Sequence, residues 1–296
     1  VATAVTNPPP TVRLAEQLQQ IVLTKIAQDR LVVPPMPAVA VKLMTLMKDP
    51  DISTRKVVTV LETDPLLAAR VLRTANSAAY AASGPAKTLD VAVNRLGQSK
   101  VKSVIVEASA KKLFDSRDPE IAAAYQLVWE HSIAVGLLTR DLVALTEGAE
   151  MMDSGYIAGL LHDVGKPLMG AVLLDVEKGL ERSREIVWIK GEAWLETVAQ
   201  THRTVGVALA EKWKLPGDIT VAIRDAGDYD SVNRKCLANY VRFCNAAVKR
   251  AGIYPGPVDK EDADALVMIG RSLLGLNDDI IGKITTGLAE RVRATA

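Results

Sequence analysis

Residues 153–166 read DSGYIAGLLHDVGK, and the way this stretch folds decides how the rest of the chain is read. Gly155, Ala158 and Gly159 precede His162 by seven, four and three residues, the spacing of one helix face, and their small side chains let a neighbouring helix come close. His162 is therefore expected to close a helix over about 153–163, with Asp163 beside it. An imidazole nitrogen next to a hard carboxylate oxygen suits Mn, Fe, Mg or Zn when further ligands converge. In a hydrolytic centre such an ion lowers the pKa of bound water and neutralises charge on phosphate oxygens. Lys166, four residues after His162, offers a cation for phosphate; its plainer reading is a lysine favoured near a helix end.

The chain has only three histidines, and all fall on apolar stripes. His131 is in register with Val128, Val135, Leu138, Leu142 and Leu145, and His202 with Val198, Val205 and Leu209, so both imidazoles should point inward. A single inward histidine is ordinarily a core residue whose ring nitrogens are satisfied by backbone or hydroxyl groups. Three of them, one adjacent to an aspartate, define a candidate metal set: His131, His162, Asp163 and His202.

At 296 residues the chain exceeds the usual size of one core, and its 49% hydrophobic and 24% charged content is that of an ordinary globular protein. Its apolar window Leu31 to Met47 is interrupted by Pro34, Pro35, Pro37 and Lys42, so no membrane span is expected. The opening VATAVTNPPP has no basic region followed by an apolar core and does not read as a secretory signal, which makes the cytoplasm the expected compartment. Cys236 and Cys244, if on one helix, are separated by about 12 Å of rise and should be reduced core residues. The formal net charge of +1 supplies no field for polyanions. The cluster of Lys100, Lys102, Lys111 and Lys112 reads as a solvated helix face, so no nucleic acid partner is expected. Trp129, Trp188, Trp194 and Trp213 read as helix packing.

The pattern along the chain is helical throughout, without convincing strands. Residues 1–11 should be an extended lead-in, and apolar spacing predicts a helix over about 12–30. Asp49-Pro50, Asp64-Pro65 and Asp118-Pro119 each look like an N-cap followed by the first helical residue. Asn76 with Ser77 suits a helix end, Thr88 an N-cap, and Gly97 the close of a short helix before a longer one. Turn residues at Phe114 to Pro119 suggest a hinge between two helical lobes, 12–116 and 117–250. Further helices are predicted over about 120–146, 191–213, 218–225 (capped by Asp218) and 236–250. A C-terminal helical segment, 251–296, follows the turn-rich Tyr254-Pro255-Gly256-Pro257.

The run Leu160-Leu161-His162-Asp163-Val164-Gly165-Lys166 resembles the signature of the HD superfamily of metal-dependent phosphohydrolases, with His131 in the place of its first histidine. Much of residues 31–245 resembles one branch, the HDOD family. The match lies in Pro34-Pro35-Met36-Pro37, Asp49-Pro50-Asp51, Asp64-Pro65, Ala75-Asn76-Ser77-Ala78-Ala79-Tyr80, Arg95-Leu96-Gly97 and the stretch HRTVGVALAEKWKLP from His202 to Pro216. The resemblance implies an all-α, multi-helix HD-like bundle. It also implies a usually non-enzymatic role in bacterial signalling, with partners among two-component or cyclic-di-GMP pathway proteins. It further places Ala226 and Gly227 where HD-GYP phosphodiesterases carry paired histidines, and Asn239 where a closing aspartate is expected. The resulting expectation is a regulatory module with a degenerate metal site, holding no metal or a weakly bound divalent ion. The alternatives are a metal-dependent phosphohydrolase acting on a nucleotide or cyclic dinucleotide, and a non-catalytic nucleotide sensor with its pocket near Lys166.

Overall fold

A computed structural model of the chain describes residues 33–49, 51–80, 84–182, 192–254, 256 and 258–295, with isolated positions at 20, 21, 24, 25 and 28; side chains at 120, 175–182 and 192–196 are left aside. The predicted lead-in, most of the predicted helix over 12–30, and the side chains of Trp188 and Trp194 lie outside the described residues. Everything described is helix, turn or irregular, with no strand among the described residues.

Thirteen α-helices with described bounds follow in order. They are α1 (Ala38–Leu46), α2 (Thr54–Leu61), α3 (Pro65–Ala75), α4 (Leu89–Lys111), α5 (Pro119–Thr146), α6 (Met152–Leu161) and α7 (Gly165–Arg182). After these come α8 (Glu192–Lys212), α9 (Gly217–Asp225), α10 (Leu237–Arg250), α11 (Lys260–Leu274), α12 (Asp278–Thr285) and α13 (Leu288–Thr295).

The helix starts have local causes. Asp64 accepts from the backbone N–H of Leu66 and Leu67 at 3.1 and 3.0 Å, with Pro65 supplying a preset φ. Asp118 accepts from Ile121 N–H at 3.2 Å ahead of α5, and Thr88 from Val91 N–H at 3.3 Å ahead of α4. Two expected caps turn out differently. Asp49 accepts from Asp51 N–H at 2.9 Å, closing a turn two residues on, and α2 begins only at Thr54. Asp218 lies in the first turn of α9, whose N-cap is Pro216.

Gly97 takes φ 73°, a left-handed conformation, and breaks α4 into a short and a long piece as expected from its sequence position. Helix α7 was not foreseen. Its opening Gly165-Lys166-Pro167 looks like a breaker, but a proline within the first turn loses only an N–H that has no helical partner anyway.

Helix α5 is the axis of the bundle. Trp129, His131, Ser132, Ile133, Ala134, Val135, Leu138, Thr139 and Leu142 are all fully buried, as for a helix covered on several sides. Leu145, expected on its inward stripe, is instead 50% exposed at the last turn. Helix α6 lies hard against α5: a Cβ added at Gly159 would come within 2.7 Å of the Val135 carbonyl, and one at Gly155 within 2.6 Å of the Val143 side chain.

Stretches of 26 residues at Ile121–Thr146 and Ala149–Leu174 are long and apolar enough to cross a membrane by composition. Burial of 67% and 78% of their most apolar windows inside the protein reads them as core helices. One hydrophobic core runs from Val33 through to Val292, joining the amino-terminal helices, the α5–α10 bundle and the last three helices.

Candidate metal centre

The HD turn links α6 to α7 in three residues. Val164 N–H donates to Leu161 O at 3.0 Å and Lys166 N–H to Asp163 O at 2.9 Å, so Asp163 is held with its side chain inward, 2% exposed. Gly165 lets α8 press onto this turn, since a Cβ there would overlap the His202 carbonyl at 1.8 Å. Helices α5, α6 and α8 thus bring His131, His162 and His202 to one buried carboxylate.

The tautomers follow from the hydrogen bonds. His131 Nδ1 lies 2.7 Å from Ile253 O, His162 Nδ1 2.7 Å from Gly159 O, and His202 Nδ1 2.8 Å from Val198 O. A carbonyl oxygen can only accept, so each Nδ1 carries the proton and donates it. In the neutral ring each Nε2 is then left with a lone pair, and all three Nε2 atoms face Asp163. His162 and His131 stand 3.3 and 3.8 Å from Oδ2, and His202 stands 3.4 Å from Oδ1. The Nε2 atoms of His131 and His162 are buried and have no hydrogen-bond partner.

Burial, with the neighbouring His162, lowers the His131 pKa to about 3, so the ring is neutral at ordinary pH. For Asp163, burial pushes the carboxyl pKa up, but His162 and Lys166 outweigh it and hold the group well below the usual carboxylate range. Lone pairs directed at an ionised carboxylate repel it unless a cation lies among them, and the Lys166 ammonium paired to Oδ2 is one such cation. The donor atoms of His131, His162 and Asp163 lie within 4.8 Å of one another. Ligands about 2.0–2.2 Å from a shared ion stand about 3–3.6 Å apart at tetrahedral or octahedral angles, close to the 3.3 and 3.8 Å from His162 and His131 Nε2 to Asp163 Oδ2, so the donor set suits a divalent cation bound by nitrogen and oxygen. The backbone carbonyls on each Nδ1 are the outer partners that such ligands use to fix their rings.

The site also contains residues that the sequence did not single out. Tyr254 packs edge-on to His131 with ring centroids 5.1 Å apart, and the ammonium groups of Lys166 and Lys249 sit 5.1 and 4.6 Å from its ring centroid. Lys166 is also ion-paired to Asp163 Oδ2; burial lowers its pKa, but the Asp163 charge more than reverses this and the pKa ends raised. Arg203, next to His202, feels the charges of Asp163, Arg242 and Asp228. The adjacency of Arg203 to His202, and the two-turn spacing of Arg242 and Lys249, were the available signals.

Asn239 does not serve as a closing ligand, because its amide is consumed elsewhere. Its Oδ1 accepts from Asp230 N–H at 2.8 Å, and its Nδ2 donates to Asp230 O, Arg234 O and Asn233 O at 2.8, 2.9 and 3.3 Å. The α10 side chain whose charge reaches Asp163 is Lys249. At the place of the paired histidines, Ala226 O accepts from Arg242 Nη1 at 3.3 Å, and the guanidinium of Arg203 lies over Gly227, where a Cβ would be 2.7 Å from Nη1.

An all-helical bundle carrying a buried His/His/Asp group at the junction of two helices defines a protein of HD type. A family model for the HDOD domain matches residues 33–229, and the chain belongs to that family. Among solved structures it is similar to a provisionally named metal-dependent phosphohydrolase from Shewanella amazonensis SB2B. The TM-score is 0.71 at 22% identity, over 95% of this chain and 99% of that one. An HDOD domain protein of unknown function from Geobacter sulfurreducens gives a TM-score of 0.64 at 23% identity, over 96% and 97%. These likenesses concern the fold alone. An uncharacterized protein of Treponema pallidum (strain Nichols) is 23% identical over 221 residues, 73% of this chain, which spans only 42% of that relative's length. The family match ends at residue 229, yet Ile253 and Tyr254, which orient and cover His131, lie beyond it.

Proposed function

We propose that the chain is a regulatory module that works through contacts with signalling proteins and retains the His/Asp cluster of metal-dependent hydrolases without turnover. The observation that carries this reading is what stands around the cluster. Beyond His131, His162 and His202, the charged groups among the described residues that interact with Asp163 are cations: Lys166, Lys249 and Arg203. A catalytic dication needs further oxygen ligands or open water positions, and like charges oppose its retention. A cavity of about 350 Å³ where the segment ahead of α1 meets α5, α7 and α8 supports a binding role. It is lined by Pro34, Pro35, Tyr125, Leu168 and Trp213 among others, and Trp213 Nε1 donates to Pro34 O at 3.0 Å across its edge. Candidate partners are two-component or cyclic-di-GMP pathway proteins, as the family resemblance implies.

The second reading, a metal-dependent phosphohydrolase, is favoured by the three Nε2 lone pairs converging on Asp163. His131, His162 and Asp163 would hold the ion, with His202 as a fourth ligand. Once bound, the ion would supply an acidified water and charge neutralisation. The deciding experiment is reconstitution with manganese or iron, followed by metal analysis and a phosphodiesterase assay on wild type and Asp163→Asn. Turnover no higher in wild type than in the variant is expected. Rapid cleavage that disappears in the variant overturns the regulatory reading.

A further inference from the structure

We infer that Tyr254, on the turn between α10 and α11, is the gate of the His/Asp cluster, and that its ring must swing out before a divalent cation enters. The inference goes beyond the regulatory reading. It rests on how the cluster is enclosed and holds with or without turnover.

All four members of the cluster are buried, and the Nε2 atoms of His131 and His162 are sealed with no hydrogen-bond partner. A ligand from solution therefore reaches them only where the surrounding wall moves. Two sides of that wall are helices at backbone contact. Helices α5 and α6 meet at Gly159, where a Cβ would stand 2.7 Å from the Val135 carbonyl, and α8 meets the HD turn at Gly165, where it would stand 1.8 Å from the His202 carbonyl. Elements packed this closely belong to one rigid core, and parting them means breaking it.

A third side is closed by the turn after α10, beyond the stretch that matches the HDOD model. There Tyr254 sits half-buried, its ring edge-on to His131 at 75° with centroids 5.1 Å apart. A partly exposed ring in contact with a fully buried imidazole is the partition between that imidazole and solvent. The same ring carries the ammonium groups of Lys166 and Lys249, 5.1 and 4.6 Å from its centroid. Lys166 is paired to Asp163 as well, so it ties the ring to the carboxylate at the centre of the cluster.

This side is held far more lightly than the helices. Gly252 N–H donates to Lys249 O at 2.9 Å and Ile253 N–H to Val248 O at 3.2 Å. Among the described residues, the next backbone N–H to donate to a backbone carbonyl is that of Ala263, at 3.0 Å from Asp259 O at the start of α11. Glycines flank the ring. Gly252 takes a left-handed φ of 79°, and Gly256 lies so close that a Cβ there would stand 3.1 Å from the Tyr254 ring. Small residues at the ends of a turn are where a swinging segment takes up its change of backbone angle. Ring and cation–π contacts are individually weak, so this side opens at lower cost than the packed core. Once the ring leaves, Lys166 and Lys249 lose the surface that holds them in the path of a dication, and the like-charge barrier to its entry falls.

The chain holds three histidines, so carbethoxylation by diethyl pyrocarbonate followed by peptide mass spectrometry reads each imidazole separately. The reagent enters from solution and reacts at an imidazole lone pair, so the rate reports access to the cluster whether or not the protein retains an ion. In the metal-free full chain at neutral pH, Tyr254→Ala should speed modification of His131 and His162 by about tenfold or more. Tyr254→Phe keeps the ring and should stay within about twofold of wild type. Thiol labelling of Cys244, fully buried on α10, reports opening of the whole bundle and should not change. Equal histidine rates in wild type and Tyr254→Ala overturn the inference. So does an acceleration at Cys244 as large as that at the histidines. Should Tyr254→Ala fail to fold, the urea dependence of the wild-type His131 rate decides. Opening of one turn exposes little surface, so the rate should stay nearly flat below the unfolding transition, whereas a slope equal to that of global unfolding overturns the gate.

Discussion

The α-carbon of Gly165 lies against the carbonyl of His202, so close that a Cβ at 165 would stand 1.8 Å from that oxygen. The neighbour is backbone and cannot rotate away, so any side chain at 165 must push α8 off the HD turn. Gly165→Ala is expected to cost about 3 kcal/mol or more through overpacking. It should also move His202 Nε2 away from Asp163. Urea unfolding measures the first effect, and a loss of divalent metal affinity in the protein that remains folded measures the second.

Asn76 makes a two-point clamp on Ala86. Its Nδ2 donates to Ala86 O at 3.0 Å and its Oδ1 accepts from Ala86 N–H at 2.7 Å, closing a ten-residue loop. Asn76→Ala should destabilise by about 2–3 kcal/mol, the sum of two bonds of about 1–1.5 kcal/mol each. Asn76→Asp keeps an acceptor for the Ala86 N–H but directs an anion at the Ala86 carbonyl, so it should not restore wild-type stability. Equilibrium denaturation of these variants beside Asn76→Gly distinguishes a clamp from a simple C-terminal helix cap, for which glycine is an adequate substitute.

The legibility of the sequence follows the range of the interactions involved. Helix starts at Asp64 and Asp118, and the break at Gly97, were readable because the cause lies within three or four residues. His131, His162 and His202 were readable as inward because helical spacing fixes direction. What they meet was not. The clamp from Asn76 to Ala86, the Asn239 amide wrapped by residues 230–234, and the Ile253 carbonyl on His131 join residues by turns whose course no periodicity records. Helix α7 was hidden by Gly165 and Pro167, residues that elsewhere end helices and here begin one.

Protonation of His131 provides a pH test. Its pKa is about 3 in the folded protein against 6.5 for a free histidine, so between those values only the unfolded chain takes up the proton. Stability is full above about pH 6.5 and falls as pH drops toward the folded value, by up to about 1.4 kcal/mol per pH unit. Asp163, held below the usual carboxylate range, adds its own loss only below 3.8. In chelator, urea midpoints between about pH 7 and about pH 4.5 should therefore decline. A His131→Asn protein should decline less steeply; equal slopes would mean that another group is responsible.

Glu107 joins the amino-terminal helices to the bundle. Its side chain is paired to Arg70 of α3 through Oε1, and its Oε2 accepts from Tyr156 of α6 at 2.7 Å. Lys100 stands 4.9 Å from the centroid of the same tyrosine ring. Glu107 is 8% exposed, so removing its cation leaves a carboxylate that water cannot reach well. Arg70→Met should cost about 3 kcal/mol, more than a surface pair of about 0–1 kcal/mol could. Because most of that cost is the stranded charge rather than lost attraction, the double variant Arg70→Met/Glu107→Leu should recover a large part of it. The residual loss then belongs to the Tyr156 hydroxyl, left without its acceptor, and Tyr156→Phe in the same background should be nearly neutral. Guanidinium unfolding of wild type, Arg70→Met, Glu107→Leu and the double variant yields the coupling directly. A double variant as unstable as the sum of its single changes would mean that the two side chains are not coupled and that the stranded carboxylate is not the governing cost.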